Sequence, residues 1–344
     1  MANEPAGRAA GFTVLVTDHA WPSLALERAI LADVGAELVV EESGEPDALV
    51  RLAAGADAIL TNWRRLPEEA LDAASRCLVV ARYGVGVDNI PVAHATELGI
   101  LVANVPDFCV EEVSDHALAL LLACARRIVT FARATRAGSW DLLGFARGLP
   151  RLRGQRLGII GYGGIARALI PKAAGLGLEI TVFTPRLSPG RDDATGVETT
   201  NDLAYLLAVS DYVSLHLPAT PETRGLIGEE ALRAMKPTAY LINTARGALI
   251  DEEALERALE EGWIAGAALD VLAEEPARAG HPLPRLDNAI VTPHAGFYSE
   301  PAIADLATKA ASNVAAVLRG ELPPTVVNPA VVDLPAYRLG RALG

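Results

Sequence analysis

An apolar run, Arg156-Leu157-Gly158-Ile159-Ile160, passes without a break into Gly161-Tyr162-Gly163-Gly164-Ile165-Ala166 and then into a helical stretch. No other feature restricts the fold as much. Gly161 permits a tight turn, Gly163 lets the backbone approach a pyrophosphate, and Ala166 in the third place allows close helix–strand packing. The N-terminus of the following helix adds N–H donors and the positive end of a dipole. An ordinary glycine-rich βα turn is the plainer alternative, but the required strand–turn–helix context is present.

The next strand, Glu179–Phe183, ends at Thr184-Pro185-Arg186. Asp or Glu usually stands at this point to accept the ribose hydroxyls of NAD. Without that carboxylate nothing repels a 2′-phosphate, and Arg186, with Arg191, can pair with one. A charged hydrogen bond is worth about 1.5–3 kcal/mol, enough to bias the choice of cofactor about tenfold. NADP(H) is therefore slightly favoured over NAD(H), with use of either as the alternative.

Short β-rich runs alternate with Ala- and Leu-rich helical stretches through the chain. Strands are expected at Thr13–Thr17, Glu37–Val40, Asp57–Thr61, Cys77–Val80 and Ile100–Val102, and again at Arg156–Ile160, Glu179–Phe183, Tyr212–Leu215, Ala239–Asn243, Gly266–Val271 and Ala289–Thr292. Alternation of this kind gives an α/β fold with mostly parallel sheets covered on both faces. One long helix is expected from Glu111 to Arg136, buried between domains or subunits, then a loop over Leu143–Gly154. A last helix, Pro301–Arg319, closes on Gly320.

The length of 344 residues allows two domains. With 30 basic against 43 acidic residues the net charge is −13, which argues against nucleic acid or an anionic membrane as the main partner. No apolar run is long enough to span a bilayer. Cys77, Cys109 and Cys124 match neither a disulfide framework nor a metal knuckle, so they are expected to be reduced thiols of a cytoplasmic protein. Residues 1–12 are expected to be a tail.

Three further motifs follow strands of the second half, where open α/β sheets bind ligands. Asn243-Thr244-Ala245-Arg246-Gly247 places an arginine whose planar fork can grip a carboxylate. Asp270-Val271-Leu272-Ala273-Glu274-Glu275-Pro276 supplies carboxylates. Thr292-Pro293-His294-Ala295-Gly296 supplies an imidazole able to transfer a proton near neutrality, for which Glu275 is the expected partner. His19, His94, His116, His216 and His281 stand in no comparable motif. In the first half, Arg82-Tyr83-Gly84-Val85-Gly86-Val87-Asp88-Asn89-Ile90 follows a strand, and its glycines allow successive N–H groups to converge on an anion.

Taken in order, YGVGVDNI, GYGGIA, INTARG, LDVLAEEP and VTPHAG resemble the D-isomer-specific 2-hydroxyacid dehydrogenases, over about residues 13–330. NVPDFCVEEVSDHA and PHAGFYSE look most like the C-terminal-binding-protein branch and its bacterial relatives. The resemblance implies two doubly wound domains, a Rossmann cofactor domain (104–295) and a flavodoxin-like substrate domain (1–103 and 296–344), with the active site in the cleft and usually a homodimer. It implies His294 as acid/base, Glu275 as its partner, and Arg246 as carboxylate anchor. Backbone amides of Val85 and Gly86 would take the other side of the carboxylate. Asp270 would bind the nicotinamide carboxamide, and Gly164, Ile165, Leu217, Pro218, Thr244 and Ala245 would surround the rest of the cofactor.

The substrate implied is a small 2-keto or 2-hydroxy acid, of the glyoxylate or hydroxypyruvate kind, and the product is the D-alcohol. Formate dehydrogenases of the superfamily carry Gln where Glu275 stands, so Glu275 argues for a true ketoacid–hydroxyacid couple. Phe297 replaces the tryptophan of the animal corepressors. Trp63 and Arg64, after the strand DAIL, are candidates for side-chain selectivity, Arg64 through a second anionic group. The competing class is a dinucleotide-sensing binding protein with little turnover, like the corepressor relatives.

Overall fold

The computed structural model describes residues 11–185, 187–191 and 196–343. Most of the expected tail, and Arg186, lie outside the described residues. Packing divides the chain into two compact units. One is built from the two ends of the chain, up to Phe108 and from Ser299 onward, and the other from Cys109–Tyr298.

The first unit alternates β1 (Phe12–Val16), α1 (Ala25–Ala32), β2 (Ala36–Val40), α2 (Pro46–Ala53), β3 (Ala58–Thr61), α3 (Glu68–Ala73), β4 (Val79–Arg82), α4 (Val92–Glu97) and β5 (Leu101–Ala103). Every strand pair is parallel, in the order β2-β1-β3-β4-β5. That is the flavodoxin-like winding.

In the second unit, helices α5 (Val110–Ala125), α6 (Ile128–Arg136) and α7 (Leu142–Ala146) precede β6 (Arg156–Ile160) and α8 (Gly164–Gly175). Next come β7 (Glu179–Phe183), β8 (Gly190–Arg191), β9 (Glu198–Thr200), α9 (Leu203–Val209) and β10 (Tyr212–Leu215). The unit ends with α10 (Glu229–Ala234), β11 (Tyr240–Asn243), α11 (Glu252–Glu260), β12 (Gly266–Leu269) and β13 (Ala289–Val291). The sheet order is β13-β12-β11-β10-β6-β7-β9-β8, and only β8 runs antiparallel to its neighbour. Winding proceeds outward in both directions from β6, so the Rossmann switch point lies between β6 and β10.

Side-chain alternation along the strands fills two cores. Leu241 and Leu269 pack on one face with Leu206, Leu232 and Leu255. Their neighbours Ile242 and Ala268 pack on the other with Leu121 and Leu169. A period of two with both sets apolar is what a parallel sheet covered on both sides demands.

Two expectations are corrected. The single helix from Glu111 to Arg136 is two helices, because Arg127 takes left-handed backbone (φ 49°) between α5 and α6. Its guanidinium donates to the carbonyls of Phe145 and Arg147, at 2.7 and 3.2 Å, and helps offset a backbone cost of roughly 1–2 kcal/mol. The expected loop at Leu143–Gly154 opens with α7, whose N-cap Asp141 accepts the Gly144 N–H. The β8–β9 ribbon is short and polar and carries no apolar strand pattern in the sequence.

The chain returns to the first unit through α12 (Glu300–Leu318). Gly320 (φ 88°) ends it as expected, with the N–H groups of Gly320 and Glu321 closing on the carbonyls of Val317 and Ala316. The segment beyond acts as a clip on β5. Buried Asn328 accepts the Val102 N–H at 2.8 Å and donates to the Ile100 carbonyl at 3.0 Å and the Thr96 hydroxyl at 2.9 Å. Arg338, leading α13 (Arg338–Leu343), donates to the carbonyls of Leu98, Ala74 and Cys77. Replacing Asn328 by Ala orphans the buried Val102 N–H of β5 and removes the donor to the Ile100 carbonyl just before it. Asn328→Ala should lower the unfolding free energy by about 2–4 kcal/mol, read from urea unfolding with an unchanged m-value.

Candidate active site

Among the described residues, the candidate groups of the second unit follow the C-terminal ends of parallel strands. After β6, Gly161 adopts φ 100° and its missing side chain leaves room for the carbonyl of His216. A Cβ there would strike that oxygen, so only glycine fits. Gly163 is the extended, exposed N-cap of α8, and no side chain caps the helix. Its first N–H groups remain available to a ligand. Gly164 and Ile165 form the first turn, and Ala166 is fully buried beneath it.

Thr184 is buried at the end of β7, where its N–H reaches the Thr200 carbonyl. Leu217 and Pro218 follow β10, and Thr223 donates its hydroxyl to the Pro218 carbonyl at 2.7 Å. After β11 the hydroxyl oxygen of Thr244 is buried with no hydrogen-bond partner among the described residues. An uncapped helix N-terminus after β6 and an orphaned hydroxyl after β11, with β10 between the two strands, fit a dinucleotide, whose phosphates and sugars bring the matching partners.

Asn243 sets the backbone around Arg246. Fully buried, its side chain accepts the Ala245 N–H at 3.0 Å and donates to the Arg246 carbonyl at 2.8 Å. The Arg246 guanidinium donates to the Ala245 carbonyl at 2.7 Å. The backbone of Leu272 and Ala273 crosses against Gly247, where a Cβ would clash. This crossing brings the loop after β12 up to the arginine loop.

On that second loop Glu275 folds back. One carboxylate oxygen accepts the Leu272 N–H at 2.9 Å, and the other lies 2.6 Å from His294 Nδ1. Burial alone would raise the Glu275 pKa, but the hydrogen bond and charge of His294 and the Leu272 N–H bring it below the ordinary carboxylate value. Glu275 is thus an acceptor at neutral pH, which puts a hydrogen on Nδ1 and turns Nε2 away from the pair.

His294 itself stands in left-handed backbone (φ 52°), a cost of about 1–2 kcal/mol for a residue other than glycine. Asp270 holds it there. The Asp270 carbonyl accepts the His294 N–H at 2.8 Å, and its carboxylate accepts the N–H groups of Ala295 and Gly296 at 2.9 and 2.8 Å. The Thr292 hydroxyl adds a bond of 2.5 Å, and His116 Nε2 lies 3.3 Å away. Desolvation opposes the charge of this side chain, which is only 2% exposed, yet His116, Thr292 and the two amides hold its pKa below the ordinary range. Asp270, expected as a carboxamide ligand, is in this structure the clasp of the His294 turn.

Sequence patterns place Asn243 in the arginine motif without showing its bonds, and leave His116 outside the site. His116 stands in no recognisable motif, yet its Nε2 lies 3.0 Å from the Thr292 hydroxyl. Thr292 lies 176 positions away in the chain, and no local signal could reveal the contact. His94 and His281 also have carboxylate neighbours, Asp72 at 2.8 Å and Glu252 at 3.3 Å. Phe297 packs edge-on against the His294 ring at 5.9 Å.

In the first unit the turn after β4 carries Gly84 at φ 138°. Val85 is exposed, and among the described residues neither its N–H nor that of Gly86 donates a hydrogen bond. Arg64 corrects an expectation. Its guanidinium is paired with the buried Glu41 carboxylate and donates to the Glu45 carbonyl, so its charge is already matched inside the unit. The amides of Asn62, Trp63 and Arg64 converge on Asp18. Trp63 remains half exposed.

Among the described residues no His, Cys, Asp and Glu cluster could hold a metal, and no helix is long and apolar enough to cross a membrane. Strand order and glycine turn define a dinucleotide-binding domain. Residues 118–296 match the model of the D-isomer specific 2-hydroxyacid dehydrogenase NAD binding domain. A glyoxylate reductase of Korarchaeum cryptofilum is 41% identical over 305 residues, covering 87% of each chain. The D-lactate dehydrogenase of Aquifex aeolicus, solved with NAD and lactic acid, superposes with a TM-score of 0.81 at 27% identity, over 91% of this chain and 98% of that one. An acyclic imino acid reductase solved with NADPH and D-Arg gives 0.81 at 25% identity, over 92% and 100%. The chain belongs to the D-isomer specific 2-hydroxyacid dehydrogenase family. Its narrower placement beside the C-terminal-binding proteins gains no support from these relatives.

The crossing at Gly161 has a measurable consequence. His216 is buried with Nε2 2.9 Å from the Ser214 hydroxyl, and burial lowers its pKa from 6.5 to about 4. The unfolded chain takes up a proton near 6.5 that the folded chain refuses until about 4. Stability from this residue is therefore complete above 6.5 and falls toward 4, by about 1.4 kcal/mol per pH unit. Urea unfolding of His216→Gln should show a shallower decline across that window than the unaltered protein. Equal slopes would place the titration elsewhere.

Proposed function

We propose that the chain reduces a small 2-keto acid to the D-2-hydroxy acid, and catalyses the reverse, with glyoxylate and hydroxypyruvate as the first substrates to test. The relatives that carry glyoxylate reductase names support this reading. The observation that carries it is the 2.6 Å contact of His294 Nδ1 with Glu275, beside a strand end bearing Arg246.

In this reading a nicotinamide dinucleotide, held at Gly161, Gly163, Gly164, Ile165, Leu217, Pro218, Thr244 and Ala245, supplies the hydride. Arg246 grips the substrate carboxylate with its planar fork and polarises the neighbouring carbonyl. His294, as imidazolium, gives its Nε2 proton to the developing alkoxide. Glu275 keeps Nδ1 occupied, so the ring has one proton to give in one direction. In the first unit, which we assign to substrate binding, the N–H groups of Val85 and Gly86 are donors suited to a carboxylate. NADP(H) is slightly favoured over NAD(H), because Thr184 brings no negative charge to the end of β7 and Arg186 follows it.

Rates over a panel of 2-keto acids with NADPH and NADH test the reading. Expected are turnover on the small acids, a higher kcat/KM with NADPH, and a kcat lower by about 10²–10⁴ in His294→Ala with cofactor affinity retained. Cofactor-linked assembly without turnover would favour a sensor, and an NADH preference would remove the cofactor assignment.

We assign a homodimer to the α6–α7 surface. Ile128, Trp140, Leu142 and Leu143 are all more than half exposed there, Trp140 at 89%. Large apolar side chains left together in water mark an interface. The double variant Trp140→Glu, Leu143→Glu should convert a dimer to a monomer in sedimentation. The three cysteines form no disulfide and are buried, with the thiols of Cys77 and Cys124 pushed up to about 12 by burial, which suits a reduced cytoplasmic protein.

A further inference from the structure

We propose that His116 is a positioning residue for the reduction, acting through Thr292 and Asp270 to hold the left-handed turn that presents His294. The inference rests on the reductase reading.

Direction of hydrogen bonding follows from counting hydrogens. The Thr292 hydroxyl has one, and its 2.5 Å contact with the Asp270 carboxylate uses it. At 3.0 Å from that same oxygen, His116 Nε2 must be the donor. Nε2 also lies 3.3 Å from Asp270 Oδ1, so one N–H serves both acceptors. Among the described residues, His116 is the one side chain able to carry positive charge within 4.0 Å of this buried carboxylate.

The turn depends on that carboxylate. The N–H groups of Ala295 and Gly296 end on the Asp270 carboxylate, while that of His294 ends on the Asp270 backbone carbonyl. A rotation of the Asp270 side chain would release the Ala295 and Gly296 N–H groups, which hold the turn immediately after His294 at φ 52°. The His116 ring also lies directly on the turn. A Cβ on Gly296 would come within 3.3 Å of its Cγ and Cδ2. His116 stands on α5, a helix packed against β11 and β12, so a rigid element supplies the N–H.

Steady-state rates of the unaltered protein, of His116→Leu and of His116→Gln test this. Leu fills the space without a donor, whereas Gln offers an N–H close to the place of Nε2. His116→Leu should lower kcat about tenfold to a hundredfold, because a misplaced catalytic group costs on that order. KM for the keto acid and cofactor affinity should move less than about threefold, and His116→Gln should recover most of kcat. A His116→Leu enzyme with unchanged kcat, or equal losses in the Leu and Gln variants, overturns the proposal.

Nitrogen NMR of histidine-labelled protein gives a readout free of activity. His116 should show a protonated Nε2, and the His294 ring signals should shift in His116→Leu. A bare Nε2 overturns the proposal whatever the rates. Absence of turnover in the unaltered protein would instead strike the reductase reading, and the NMR result would still decide the role of His116.

Discussion

A single buried carboxylate organises the candidate site. Asp270 sits where β12 ends, beside the end of β13, and satisfies the N–H groups of the turn that leaves β13. A charged acceptor in a dry place makes strong bonds to amides and would be costly to leave unpaired. The two facts together explain why His294 can keep a backbone conformation that its side chain disfavours. Everything the imidazole does depends on that orientation.

The neighbouring loops are locked to one another by close backbone approach. Gly247 admits the backbone of Leu272, and Leu272 donates its N–H to Glu275, which in turn contacts His294. Asn243 fixes Arg246 from the strand beneath. Arginine, glutamate and histidine thus come from the ends of β11, β12 and β13, three adjacent parallel strands. Strands are stiff and their register is set by the core, so the spacing of the three groups follows from the sheet.

Charge is handled locally. The chain carries −13 overall, while the ligands assigned to it are anions. The glycine turn after β6 meets this with an uncapped helix N-terminus, and the β11 loop with a guanidinium. In the first unit the Arg64 guanidinium is paired with Glu41. Bulk charge governs what the surface avoids, and a few placed donors govern what the sites accept.

Motifs in contiguous sequence were legible because their chemistry is local. The glycine turn, the INTARG loop and the VTPHAG loop each announce a strand end, and the alternation of apolar runs announces parallel sheets. Boundaries of β6, β7 and β10 follow directly from those runs. Tertiary structure decided what depends on distant partners. Arg127 interrupts a helix whose sequence is continuous, its guanidinium reaching carbonyls eighteen and twenty residues on. Arg64 is matched by Glu41, Asp270 closes a turn, and His116 meets Thr292 across 176 residues. Spacing along a chain reports the local backbone, whereas the pairing of buried polar groups is set only when the folded layers bring them within hydrogen-bond reach.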